Sequence, residues 1–116
     1  MNDIPSPRCA HTANMLGSGK SSVSNTNQQM IIYGGWNGTN HIFDDFLVYD
    51  FEKKLWHIEM MTCRSSTTNN LVGRFGHSSS SMVDQKESEE IVFFGGVNAT
   101  RDLSDILIAH HGEQSK

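Results

Sequence analysis

Short apolar runs separated by polar loops dominate the chain. Residues 30–33 and 91–94 are continuous apolar quartets, and each one ends at a Gly-Gly doublet. Runs this short that are rich in β-branched and aromatic residues predict strands buried on both faces. A second pair of runs, 46–49 and 106–108, predicts two more strands of this kind. We find no segment with the periodicity of an amphipathic helix, so the pattern predicts an all-β fold.

Two further segments predict strands of a more polar kind. In residues 55–60, Trp56 and Ile58 alternate with polar neighbours, which is typical of a half-exposed strand. Residues 77–83 are rich in serine and predict another strand. Both segments lie between the apolar runs at 46–49 and 91–94.

The chain also repeats itself. The apolar quartet with its Gly-Gly doublet recurs at an offset of 61 residues, and the Asp-aliphatic-aliphatic block at 45–48 recurs at 105–108, an offset of 60. The Arg-x-x-His block at 8–11 recurs at 74–77, an offset of 66. The offsets differ because the polar loops between matched blocks differ in length. Matched blocks in a constant order indicate a tandem structural repeat.

These marks together resemble the kelch repeat. An apolar quartet, Gly-Gly, an Asp-aliphatic-aliphatic block, Tyr-Asp, Trp and Gly-Arg-x-Gly-His follow one another in that order. The marks are Gly34, Gly35, Tyr49, Trp56, Arg74, His77, Gly95 and Gly96. The resemblance implies a partial kelch-type β-propeller, in which four-stranded blades stand around a ring. The second repeat departs from the pattern, because Ala109 and His110 replace its Tyr-Asp pair.

The resemblance also implies how residues 1–116 divide into blades: one full four-stranded blade plus parts of two neighbours. We expect a lone fourth-type strand at 8–16, a full blade at 30–83 and the first two strands of the next blade at 91–109. Two repeats cannot close a ring of 4–8 blades. We therefore expect a piece of a larger propeller, and self-association of copies to complete a ring is the second interpretation.

Composition and charge indicate which kinds of partner and which cellular location to expect. The chain has 116 residues, with 9 Lys and Arg against 13 Asp and Glu, a net charge of −4 and no basic cluster, which argues against nucleic acid. No run approaches the roughly 20 apolar residues of a membrane span. Residues 1–10 do not have the pattern of a signal peptide. Cys9 and Cys63 form no paired motif, so we expect a reducing, cytoplasmic location.

Motifs for catalysis or cofactor binding are weak. The run Gly-Ser-Gly-Lys-Ser at 17–21 resembles the end of a phosphate-binding loop, but Asn14 stands where that motif requires its first Gly. The His and Cys residues lack the spacing of metal ligands. The serine run at 78–81 has no nucleophile elbow. We therefore expect no cofactor, no metal and no enzyme activity. The alternative is a segment of a catalytic, oxidase-like propeller whose active-site residues lie outside this chain.

Binding candidates lie in the loops that follow the Gly-Gly doublets. Loops on a rigid frame often carry binding residues, and Trp and Arg are frequent interface anchors. The candidates are Trp36, Asn37, His41 and Arg101. An alternative for Trp36 is that it folds onto the next blade. Asn37 and Asn98 each begin an Asn-x-Thr glycosylation pattern, but we expect their side chains to satisfy backbone amides of the turn.

We expect the other recurring polar residues to stabilise the fold. The resemblance implies that Arg8 and Arg74 are packed or paired between neighbouring blades, and the recurrence of Asp45 at Asp105 favours capping of loop amides. The overall function that the resemblance implies is a protein–protein interaction module, a scaffold or adaptor segment that binds another protein. A secreted, glycosylated binding domain is a further alternative.

Overall fold

The computed structural model describes residues 4–17, 28–65, 73–83 and 89–111. These residues form eight strands and no helix. The strands are β1 (Thr12–Leu16), β2 (Gln29–Tyr33), β3 (Phe46–Asp50), β4 (Leu55–Glu59), β5 (Met61–Ser65), β6 (Ser78–Val83), β7 (Glu89–Phe94) and β8 (Ile106–His111). They pair antiparallel in two four-stranded sheets. The predicted all-β class is confirmed.

Sheet 1 is a simple meander, and sheet 2 is not. In sheet 1 the strand order β1-β2-β3-β4 follows the sequence. In sheet 2 the order is β5-β8-β7-β6, so the strand beside β8 comes from earlier in the chain. Met60 alone separates β4 from β5. The chain thus passes directly from the outer edge of one sheet to the outer edge of the other.

The grouping of strands differs from the one predicted. The sequence predicts the segment 76–83 in the same blade as 30–60, but β6 pairs with β7 in sheet 2. It predicts a lone strand at 8–16, but β1 pairs with β2 along its whole length. The structure therefore contains two complete four-stranded sheets, not one full blade with parts of two others. The outer strand β5 was not predicted at all, because Met61–Ser65 has no apolar run.

The two sheets pack face to face through apolar side chains, most of them from the central strands. The buried cluster consists of Leu16, Ile31, Tyr33, Phe46 and Val48 from sheet 1 and Ile91, Phe93, Leu107 and Ala109 from sheet 2. Its aromatic centre is Tyr33, whose ring lies 4.6 Å from that of Phe46 and 4.8 Å from that of Phe93. Each such side chain contributes about 1.5–3 kcal/mol when it leaves water. Contact between the sheets therefore supplies much of the stability of this small fold.

Candidate functional site

Two equivalent loops leave the sheets at the Gly-Gly doublets, one between β2 and β3 and one between β7 and β8. Gly34 has a φ of +76°, and a Cβ there would lie 2.6 Å from the carbonyl oxygen of Arg74. A side chain would therefore be excluded by both backbone conformation and space. Gly95 has a similar φ of +74°, and the close approach in sheet 2 is at Gly96, where a Cβ would lie 2.8 Å from the carbonyl oxygen of Phe75. The doublets let each loop turn sharply beside a neighbouring backbone.

The residue after each doublet forms backbone bridges with two other segments, one on each side of the loop. Trp36 forms isolated antiparallel bridges with Cys9 and with Ile42, and its repeat counterpart Val97 forms them with Phe75 and with Asp102. Each loop is therefore a small extension of the sheet, fixed by backbone hydrogen bonds.

Asparagine side chains shape the tips of the loops. The Oδ1 atom of Asn37 accepts hydrogen bonds from the backbone N–H groups of Thr39, Asn40 and His41, each at 3.0 Å. Asn98 Oδ1 likewise accepts from Thr100 at 2.9 Å and from Arg101 at 3.0 Å. Both asparagines thus satisfy turn amides, the role expected from sequence, and hold the tips in a defined shape.

A buried ion pair supports the loop of sheet 2. Arg74 is fully buried, and its Nη1 and Nη2 atoms donate to the two carboxylate oxygens of Asp105 at 2.7 and 2.9 Å. Arg74 Nη1 also donates to the carbonyl oxygen of Gly95 at 3.2 Å. These hydrogen bonds are the largest influence on Asp105 and lower the pKa of its carboxyl group. The charged pair ties the start of β6 to the start of β8 and to the Gly-Gly turn.

Sheet 1 carries the counterpart of this pair in a more open form. Arg8 Nη1 donates to Asp45 Oδ1 at 2.9 Å and to the carbonyl oxygen of Gly34 at 3.2 Å. The guanidinium group also lies 3.7 Å above the ring of Phe43, which favours it electrostatically. Each Arg–Asp pair lies within one sheet. The prediction that the aspartates cap loop amides is therefore corrected, because each binds an arginine of its own sheet. The buried Arg74 side chain also hydrogen-bonds to Tyr33 of sheet 1, so the predicted framework role between neighbouring sheets is confirmed for this arginine.

Contacts near the loops also join the two sheets. The Trp36 ring stacks on that of Phe75 with centroids 5.3 Å apart, and Gly35 N–H donates to the Arg74 carbonyl oxygen at 2.9 Å. Thr12 Oγ1 lies within hydrogen-bonding distance of His77 Nε2, at 2.8 Å. Of the two alternatives for Trp36, the structure therefore shows the one in which its ring folds onto the next sheet.

His77 is a core residue and not an exposed acid–base group. Its ring packs edge-on against Tyr33 and Phe93, at centroid distances of 5.3 and 5.7 Å. Burial, with a smaller contribution from the charge of Arg74, lowers the pKa of His77 to about 4. The ring is therefore neutral near pH 7. Burial also raises the pKa of the Cys63 thiol to about 11, which makes this cysteine a poor nucleophile.

Exposed side chains are concentrated at the loop tips. The tip at residues 37–41 is exposed along its whole length, and so are residues 99–102. The predicted binding residues Asn37, His41 and Arg101 lie on these tips, whereas Trp36 is half-buried. Sequence reasoning missed Phe75 and the Arg–Asp pairing. The recurrence of Arg and Asp at equivalent positions of the two repeats was the signal for that pairing.

Within the described ranges, no group of three or more His, Cys, Asp or Glu residues is placed to hold a metal ion. Among the same residues there is no helix with the length and hydropathy needed to cross a membrane. Residues 18–21 of the Gly-Ser-Gly-Lys-Ser run lie outside the described part of the chain.

Comparison with protein families matches residues 21–60 to the Kelch motif. The chain carries a kelch repeat. The matched segment contains β2, β3 and β4, with the Gly-Gly doublet and the Tyr and Trp marks of sheet 1. Sheet 2 carries the second set of kelch-like marks, but the matched residues do not extend into it and its outer strand β5 comes from earlier in the chain. No curated protein matches the chain.

Proposed function

We propose that this kelch-repeat chain is a protein–protein interaction module with no catalytic activity of its own. The observation that carries the proposal is the pair of exposed loop tips, residues 37–41 and 99–102, each held on an equivalent frame of Gly-Gly turn, Asn-capped tip and Arg–Asp pair. A surface that is already ordered loses less conformational entropy when a partner binds. Rigidly supported loops of this kind are well suited to recognition.

His41 and Arg101 are the side chains we assign to partner binding. Both are exposed, and each follows the Asn-capped tip of its loop. Arg101 offers a planar, multiply hydrogen-bonding cation, a side chain that frequently anchors protein interfaces. Both cysteines are free, which agrees with the proposed cytoplasmic location.

Affinity capture with matched variants tests the proposal. The wild-type chain, a variant with Arg101→Glu and His41→Ala, and a Lys53→Glu control are immobilised and exposed to lysate of the source cells. Lys53 lies in the exposed turn between β3 and β4. We expect a protein that the wild type and the control retain equally and that the loop variant retains at least about tenfold less. Titration of that purified protein against each variant measures the affinity directly.

Two results would contradict the proposal. One is retention of the same proteins by all three chains. The other is stoichiometric copper, iron or zinc in the purified protein together with oxidase activity, which would favour the catalytic alternative.

A further inference from the structure

The two loop tips differ at the residue that follows the capping asparagine. That residue is Gly38 in the first loop and Ala99 in the second, and Asn37 is the only asparagine of the chain that precedes a glycine. Gly38 has a φ of +94°, and a Cβ there would meet nothing within 4 Å. The backbone nitrogen of Gly38 therefore has open space on the side where other residues carry a side chain.

The peptide unit between Asn37 and Gly38 is also open to solvent. Both residues are exposed, whereas Asn98 in the second loop is half-buried. Gly38 N–H has no hydrogen-bond acceptor among the residues that the structure describes. This nitrogen therefore gives up no internal hydrogen bond when it reacts with a neighbouring group.

Several hydrogen bonds polarise the side-chain amide of Asn37. Its Oδ1 atom accepts from three backbone N–H groups at 3.0 Å, and its Nδ2 atom donates to Asn40 Oδ1 at 3.2 Å. Asn98 Oδ1 accepts from two backbone N–H groups. Fixed N–H donors stabilise the negative charge that a carbonyl oxygen acquires when its carbon is attacked. The tip therefore surrounds the Asn37 carbonyl oxygen with groups that favour attack on Cγ.

We propose that Asn37 is a site of self-modification, at which the backbone nitrogen of Gly38 displaces ammonia from the Asn37 side-chain amide. The new bond joins Gly38 N to Asn37 Cγ, and the bond from Cγ to Nδ2 breaks. The proton displaced from Gly38 N leaves with Nδ2 as ammonia. The product is a cyclic succinimide, which water opens at either of its carbonyl carbons to give aspartate or isoaspartate. No oxidant or reductant takes part in either step.

The second loop is an internal reference for this reaction. Asn98 caps its turn in the same way, but the Cβ of Ala99 lies next to the nitrogen that would attack. Glycine also adopts backbone conformations that alanine avoids, which eases closure of the succinimide ring. Conversion should therefore be concentrated at Asn37, although the two asparagines occupy equivalent positions in the repeat.

The two products change the first loop tip differently. Aspartate keeps a side-chain oxygen in the place of Oδ1, so the turn amides stay capped while the tip gains a negative charge. Isoaspartate puts Cβ into the main chain and leaves the carboxylate on Cα, so the cap is lost. Both products place an anion close to the exposed His41.

Peptide mass spectrometry on the folded chain, sampled during incubation at physiological pH and temperature, tests the proposal. Conversion replaces the amide NH2 by OH, and fragmentation distinguishes isoaspartate from aspartate. We expect conversion at Asn37 to be at least about tenfold faster than at Asn98. Gly38→Ala should lower the rate at Asn37 to that of Asn98. Circular dichroism checks that this variant keeps its strand signal.

Ala99→Gly is the matched variant in the other loop. It gives Asn98 the same neighbour as Asn37, but not the same exposure or number of donors. We expect conversion at Asn98 to rise and to remain slower than at Asn37. Equal rates at the two sites in this variant would overturn the role assigned to the turn amides.

Incubation in denaturant measures what the folded tip contributes, because it removes the turn hydrogen bonds and leaves the Asn-Gly pair. We expect Asn37 to convert at least as fast in the folded chain as in the denatured one. Faster conversion in denaturant would show that the cap protects Asn37 and would overturn the proposal, as would equal rates at Asn37 and Asn98 in the folded wild type. These measurements use no partner, so their outcome is independent of the function proposed for the loop tips.

Discussion

Arg74 and Asp105, 31 residues apart in sequence, form a two-pronged ion pair in the interior of sheet 2. Removing one partner of such a pair leaves a buried charge without compensation. We expect Asp105→Asn to lower the free energy of unfolding by about 3–5 kcal/mol. Asp45 in the equivalent pair is 30% exposed in its side chain, so Asp45→Asn is expected to lower it by about 1 kcal/mol.

Denaturant unfolding of both variants measures this difference. If Asp105→Asn abolishes folding, the variant Arg74→Met with Asp105→Leu, which removes both charges, should recover part of the loss. Equal losses of unfolding free energy for Asp105→Asn and Asp45→Asn would contradict the prediction that burial makes the first pair more important for stability.

Acid should destabilise the protein through His77. Burial lowers the pKa of this ring from 6.5 to about 4, so between these pH values the unfolded chain binds a proton that the folded chain excludes. The free energy of unfolding should therefore be highest above pH 6.5 and fall towards pH 4, by on the order of 3 kcal/mol in total. His77→Gln should remove this slope while lowering stability at pH 7.

Denaturant titrations at half-unit pH steps provide the measurement, with the interval from pH 7 to pH 8 as the baseline. The lowered pKa of Asp105 acts in a more acidic window, because its stabilisation is lost only as the carboxylate is protonated. An unchanged slope in the His77→Gln variant would assign the acid sensitivity to other groups.

Two effects should destabilise a Gly34→Ala variant, the positive φ and a steric clash of the new Cβ, and a comparison with Gly38→Ala should separate them. Gly34 and Gly38 both have positive φ, +76° and +94°, but a Cβ at Gly38 meets nothing within 4 Å. Gly38→Ala should therefore cost about 1 kcal/mol for the left-handed backbone alone. Gly34→Ala adds a clash with the Arg74 carbonyl and the His77 ring, and we expect a loss at least twice as large. Thermal unfolding of both variants makes the comparison, and similar losses would rule out the clash.

The stack of Trp36 on Phe75 should couple the first loop to sheet 2. We expect Trp36→Ala and Phe75→Ala each to be destabilising, and the double variant to lose less than the sum by about 0.5–1.5 kcal/mol. A double-mutant cycle in denaturant measures this coupling energy. The pair Trp36 and Tyr49 serves as a control in which the losses should add, because the Tyr49 ring packs against Phe51 and Trp56 instead.

Local pattern in the sequence determined the strands that bury apolar side chains. Apolar quartets, Gly-Gly doublets and the repeat offsets predicted β2, β3, β7 and β8 closely, because burial and a positive-φ turn restrict which residue types are allowed. The same reasoning placed the exposed loop tips at Asn37 and Arg101 and the turn-capping role of the asparagines. These features depend on residues that are near one another in the chain.

Tertiary structure alone decided which strands share a sheet. The polar segments Thr12–Leu16 and Ser78–Val83 carry no pattern that selects a partner, and Met61–Ser65 became the outer strand of sheet 2 only because β8 offered an edge beside it. The partner of Arg74, the packing of Trp36 on Phe75 and the neutral state of His77 were decided in the same way. Backbone donors and acceptors do not depend on the side chain, so the sequence of a polar strand does not select its partner. The partner is selected when burial of the apolar faces brings distant segments together.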